Sequence, residues 1–189
     1  MRVDFQSVFP LRRAHVHEVC GPGVMSFAAM ATATATGCLW IRESWLCDTL
    51  TPQGLWPFFD PTRLLLARSK DQTDTLAVAE EALKDGALPF VVLEITHPLN
   101  LREGRRLQLA AKAGDATGLC LIPEGMGSNA AQTRWRAAPV FEDHKGDQDG
   151  DLTLMRWEII KNKSGTIGAW NVRWNPKAHR VHVVSPVGE

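Results

Sequence analysis

The 189-residue sequence has no tyrosine, although it carries seven Trp and seven Phe; composition offers no physical reason for that imbalance. It also lacks any C-x-x-C pair, its four cysteines (Cys20, Cys38, Cys47 and Cys120) being scattered. Such spacing argues against a disulfide frame or a zinc site and for reduced, mostly buried thiols in a cytoplasmic protein. No run of about eighteen apolar residues is present, so neither a spanning helix nor a membrane partner is expected. The opening MRVDFQSVFPLRRAH lacks the apolar centre of a secretory signal. Excess charge is missing too: 21 Lys+Arg cancel 21 Asp+Glu, which excludes a globally basic nucleic-acid coat and an acidic tail. What remains, at 44% apolar and 22% charged residues, is a chain long enough for one full core and short for two domains.

Segments of strand and helix character alternate over the first two thirds. HVHEVC at 15–20 is a strand-like run ended by Gly21-Pro22-Gly23, a strong turn signal. The small apolar stretch VMSFAAMATATAT at 24–36 reads as a helix stopping at Gly37. CLWIRE at 38–43 and RLLLAR at 63–68 read as strands, and 73–84 as a helix ending at Gly86 with Leu76, Ala79, Ala82 and Leu83 on one face. FVVLEI at 90–95 is a continuous apolar run, the mark of a strand covered on both faces. Asn100 and Glu103 have capping-box spacing and open a helix running to about Ala113. GLCLI at 118–122 is a fifth strand. Beyond Pro123 four strand-like segments (133–137, 154–162, 170–174 and 180–184) follow one another with no helical window between them. Alternation implies parallel pairing and direct succession implies hairpins. The expected architecture is therefore α/β: a mainly parallel sheet flanked by helices with an antiparallel C-terminal extension. Residues 1–14 form an N-terminal segment and 15–189 a single core domain.

In such sheets ligands sit beyond the carboxyl ends of the strands. Three features fall there: the Gly21-Pro22-Gly23 turn, Glu43 and Glu94. A Gly-rich turn after the first strand is where a phosphate cradle would lie, and a carboxylate ending a later apolar strand is where a Walker B acid would lie.

The wording resembles the core of RecA-type recombinases over roughly 15–184. HEVCGPG resembles the strand entering the Walker A loop, CLWIRE the second strand, with Glu43 at the place of the water-activating glutamate, and FVVLEI the Walker B strand, with Glu94 for the usual Asp. Asn129-Ala130-Ala131 resembles the region after the second DNA-binding loop, and RWEIIKNKSGTIGAW at 156–170 the terminal hairpin. Closer wording, in HEVCGPG, GRRLQLAAKAG, TRWRAAP and the final Trp-rich stretch, is similar to the ImuA family of RecA-like accessories of bacterial SOS mutagenesis. That resemblance implies a non-catalytic role in translesion DNA synthesis. The partners it implies are an ImuB-type relative of Y-family polymerases, an error-prone replicative-type polymerase, and RecA or DNA as further contacts. RecA proteins polymerise through a helix ahead of the core, and here only about fifteen residues precede the first strand, so an extensive self-filament is not expected.

The departures are specific. A working P-loop needs G-x-x-x-x-G-K-[ST], whose Lys meets the β/γ-phosphates. This turn has no Lys anywhere between His15 and Gly37, lacks the second glycine at the right spacing, and carries Val24, Met25 and Phe27 where polar residues belong. Without that cation nothing evident neutralises a transferring phosphoryl group, so no cofactor and no ATPase activity are expected. Ser26 could face a metal, but helix starts carry Ser often. Glu43 reads as a surface or paired carboxylate, and Glu94 as an acid that caps a helix or pairs with an Arg. His15 and His17 share a strand face but have no third ligand, Glu18 pointing the other way. Asp147, Asp149, Asp151 and Glu158 match an EF-hand count, yet the sixth position is Leu152 rather than Gly. No metal site is expected.

Local charge is uneven. Six Lys/Arg oppose three acids over 102–136, and six oppose one over 156–180. Arg134, Arg136, Arg156, Lys161, Lys163 and Arg173 interleave with Trp135, Trp157 and Trp174, a composition suited to phosphate contact with base stacking. The alternative is core tryptophans beneath a solvated or partner-binding cationic face. Alternation in 133–137 puts Arg134 and Arg136 on one face and Trp135 on the other. Two rival functions stay open beside the accessory role: a divergent RecA-family ATPase using Glu43 and Glu94, and a single-stranded DNA-binding module.

Overall fold

The computed structural model describes residues 4–140 and 154–186. Among them, nine strands join one sheet: β1 (Val16–Cys20), β2 (Cys38–Glu43), β3 (Leu64–Ser69), β4 (Phe90–Glu94), β5 (Thr117–Leu121), β6 (Thr133–Pro139), β7 (Met155–Asn162), β8 (Gly168–Asn175) and β9 (Arg180–Pro186). Their spatial order is β3-β2-β4-β5-β1-β6-β7-β8-β9. The five pairings from β3 across to β6 are parallel, and the three from β6 to β9 are antiparallel. The expected α/β plan is thus the observed one. Crossovers between successive parallel strands run through α1 (Val24–Ala31), the short α2 (Pro52–Leu55), α3 (Gln72–Asp85) and α4 (Leu101–Ala113). The sequence reading foresaw every one of these except α2.

The helices start and stop for local reasons. Asp71 caps α3 by accepting from the Asp74 N–H, and Gly86 ends it in the left-handed region at φ +71°. The capping box of α4 forms as the sequence predicts: the Glu103 N–H donates to Asn100 at 2.9 Å and the Asn100 N–H to Glu103 at 2.8 Å. The ends of α3 and α4 meet at Gly86 and Gly114, where a Cβ on either residue would run into the other helix's terminal backbone. Helix α1 stops at Ala31 instead of continuing to Thr36. Its successor Thr32 turns its hydroxyl back onto the Ala29 carbonyl at 2.9 Å, the local bond by which Ser and Thr loosen helices, and Thr34 and Thr36 are β-branched.

Two apolar layers sandwich the sheet. One gathers Phe27 and Met30 of α1, Trp40, Trp135, Trp157, Trp170 and Trp174 from the strands, and Phe5 and Leu11 from the N-terminal segment. The other packs Ala79 and Leu83 of α3 and Leu107, Ala110 and Ala111 of α4 over Val16, Ile41, Val91, Leu93 and Cys120. Helices α3 and α4 lie over β1 to β5, so this second layer belongs to the parallel half of the sheet.

Candidate functional site

Three residues, Gly21, Pro22 and Gly23, separate β1 from α1. That leaves too little chain for the ring of N–H groups with which a P-loop surrounds phosphates, and Pro22 has no N–H to give. The Gly23 N–H is already committed, donating to the Ala137 carbonyl of β6 at 2.9 Å. Gly21, at φ +96°, would place a Cβ 2.6 Å from that same oxygen, so the turn lies flat against β6 and only glycine allows it. A Cβ on Gly23 would strike the methyl of Met155. Ser26 is exposed on the first turn of α1.

Both strand-end carboxylates are occupied from within. Glu94 receives the Trp40 indole N–H at 2.8 Å and sits 3.2 Å from the Arg42 guanidinium, itself buried. This is the arginine pairing anticipated for it. Arg42 also donates to the Asp48 carbonyl. Of the two readings of Glu43, surface or paired, the structure drops the first: it is 3% exposed, accepts the Trp45 indole N–H at 2.6 Å on one oxygen and is bonded by the Thr96 hydroxyl on the other. A protein donor on each oxygen fixes the orientation of this buried carboxylate.

A cavity of about 540 Å³ remains at these strand ends, lined by Gly21, Pro22, Val24, Met25, Glu94 and Arg136 among others. Its walls are chiefly aliphatic. Among the described residues no group of three or more His, Cys, Asp or Glu could hold a metal ion. His17 is a core residue between the Thr133 hydroxyl (2.6 Å) and the Arg12 carbonyl (2.9 Å); burial pushes its imidazole down to about 4. Burial likewise pushes the Cys38 thiol up to about 12 and raises Cys120. Cys20, Cys38 and Cys120 are buried free thiols, and Cys47 is exposed. The EF-hand-like spacing falls mainly on 141–153, outside the described residues.

The cations separate into three kinds. Arg134 closes a buried pair, its Nε 2.7 Å from Glu18, which also accepts the Ser128 N–H at 2.7 Å. Lys161 and Lys163 clasp the segment after β5: Lys161 donates to the Ala131 and Asn129 carbonyls at 2.6 and 3.1 Å, and Lys163 to Ala130 at 2.6 Å. Burial lowers the Lys161 pKa. Arg136, Arg156 and Arg173 stand on the outer face of the antiparallel strands. There Arg136 meets Glu124 at 2.9 Å and Arg156 meets Glu158 at 2.6 Å, both arginines and Glu124 being about half-exposed and Glu158 less so. The interleaved tryptophans do not join them. Trp135, Trp157 and Trp174 are buried on the opposite face, which corrects the picture of indoles available to stack on bases. Sequence reasoning missed Arg180, which opposes Asn175 on the same outer face, and the role of Glu18. Only the parallel pairing of β1 with β6, which sets Glu18 beside Arg134, reveals that role.

No family model matches the chain. The chain is similar to Protein ImuA of Caulobacter vibrioides, from strains NA1000/CB15N and ATCC 19089/CB 15 alike: 28% identical over 192 residues, covering 88% of this chain and 77% of the relative. Its fold is similar to the crystal structure of the RadB recombinase, with a TM-score of 0.63 over 92% of each chain at 12% identity. The resemblance to ImuA read from the sequence therefore holds along most of the chain, on a RecA-like core. No helix among the described residues is long and apolar enough to cross a membrane.

Proposed function

We propose that this chain is an ImuA-like accessory of SOS-induced mutagenesis, a cytoplasmic protein that acts by docking rather than by hydrolysing nucleotide. The observation that carries the reading is the three-residue turn whose Gly23 N–H is bonded to Ala137. A triphosphate needs several free N–H groups and a cation at that point, and the turn supplies neither. The internal partners of Glu43 and Glu94 support the same reading, because Trp40, Arg42, Trp45 and Thr96 already hold both carboxylates as parts of the fold. The partners in this reading are an ImuB-type relative of Y-family polymerases, an error-prone replicative-type polymerase, and RecA or DNA.

Co-purification with the ImuB-type protein of the same bacterium tests it. Association of the two folded proteins is the expected result, and failure to associate would count against the reading. Calorimetric titration with ATP and Mg²⁺ tests the other half: saturable binding with turnover lost in Glu43→Gln would replace docking by a divergent ATPase. The cationic outer face favours one second reading, contact with DNA through phosphates. Its signature is an affinity that falls steeply with added salt.

A further inference from the structure

Helices α3 and α4 cover the sheet with one face and leave the other in solvent, and the charge on that outer face is divided by sign. At helical spacing the exposed stripe of α3 is Asp74, Ala77, Glu81 and Asp85, and that of α4 is Arg102, Arg105, Leu109 and Lys112. The two helices run in the same direction, because α3 leads from β3 to β4, α4 leads from β4 to β5, and the three strands are parallel. Their C-terminal ends are level, meeting at Gly86 and Gly114. Further down, Arg106 of α4 is bonded to Glu80 of α3 at 2.6 Å. Counted back from those ends, Asp74 stands level with Arg102, Ala77 with Arg105 and Glu81 with Leu109. Glu81 is thus about one turn from each of Arg105 and Lys112.

We propose that this face is the interface of a homodimer, in which a two-fold axis running along the helices lays α3 of each copy on α4 of the other. Such an axis keeps every residue at its own level. Asp74 then meets the second copy's Arg102, Glu81 reaches its Arg105 and Lys112, and Leu109, 68% exposed, seats on the turn holding the small Ala77. The charges are available for this. Among the described residues none bonds to the side chains of Arg102, Arg105, Lys112 or Glu81. Asp74 and Asp85 each accept one backbone N–H, from Lys70 and Ala87, on a single oxygen. Lys84, the cation on the outer face of α3, follows Glu80 at the i+4 spacing of a helix pair, and Glu103 is spent in the α4 capping box. The division by sign selects the occupant. A polynucleotide or an anionic bilayer laid on α4 would be repelled by the acids of α3, whereas a two-fold contact needs a surface complementary to itself, which matched levels of opposite charge provide. Both stripes of each copy are used at once, so the assembly closes at two instead of growing into a filament. Each helix is about 20 Å long and the pair about 20 Å across, a small face whose ion pairs are exposed, so the dimer expected is weak and salt-sensitive.

Sedimentation equilibrium of the whole protein over about 10–500 µM tests it. At about 50 mM salt the average mass should climb towards twice that of the monomer, and at about 500 mM salt it should fall back. Arg105→Glu and Glu81→Arg should each weaken association about tenfold or more, because like charges then face each other across the axis. An equimolar mixture of the two variants should dimerise close to wild type. In that mixed pair one contact is the natural Glu81 with Arg105 and the other is the same pair reversed, a rescue that requires exchange of α3 with α4. Lys177→Glu, exposed between β8 and β9, should change nothing. Circular dichroism reports folding, and Arg102→Glu or Glu81→Lys stands in for either variant that does not fold. A monomer over the whole range at low salt would overturn the dimer. A dimer indifferent to both substitutions, or one that the mixture fails to restore, would overturn it equally.

Discussion

The parallel and antiparallel halves of the sheet handle charge in opposite ways. In the parallel half, covered by helices on both faces, the strand acids are held by internal partners: Glu18 by Arg134 and the Ser128 N–H, Glu94 by Arg42 and Trp40, Glu43 by Trp45 and Thr96. In the antiparallel half only the tryptophan face is covered, and the arginines of the other face stand in or near solvent. Buried charge held by internal partners ties a structure together, whereas exposed charge with loose partners can be rearranged by a visitor. The half that carries catalysis in a working P-loop protein is here the one whose strand-end acids are held by internal partners.

The largest expected effect breaks the matched side. Glu18→Ala leaves Arg134 without its carboxylate and the Ser128 N–H without its acceptor, and should cost about 3–5 kcal/mol in chemical denaturation. A loss below about 1 kcal/mol would place that pair with the exposed ones. Acid comes next. His17 is held well below its ordinary value, so between about pH 6.5 and 4 the unfolded chain binds a proton that the folded chain refuses. Stability should therefore fall as pH drops through that window, by about 3 kcal/mol, and His17→Gln should remove that part of the slope. Asn100→Ala should cost about 1 kcal/mol through loss of the α4 cap, read as a lower melting temperature. Arg136→Ala, on the exposed side, should change stability by less than about 1 kcal/mol. The smallest effect is a null: Met25→Lys sets a cation beside the turn but should not produce saturable ATP binding in calorimetry, because Pro22 has no N–H and that of Gly23 stays bonded to Ala137.

Much of the scaffold was legible because its signals are local. β2 falls at the residues CLWIRE, and the Asn100–Glu103 box opens α4 as spacing alone requires. The missing lysine is equally a matter of reading one turn. What escaped depends on neighbours far apart in the chain. Glu18 and Arg134 are separated by 116 positions and meet only through strand order. The closing of the turn onto Ala137 needs β6 beside β1. For Glu43 the sequence left surface and paired both open, because nothing nearby announces that Trp45 folds back over it. Alternation did sort Arg134 from Trp135, yet it could not say that Arg134 would be claimed by Glu18 while Arg136 stayed outside.

The meeting of Gly86 with Gly114 has a practical corollary for anyone altering this protein. Since two chain ends touch main chain to main chain, with no side chain between them to shrink or swing away, neither α3 nor α4 can gain a residue at its tail without lifting the other off the sheet. The pair behaves as a single bracket of fixed span. Insertions there should be far less tolerated than in the segment around Gly125, where an added Cβ meets nothing within 4 Å.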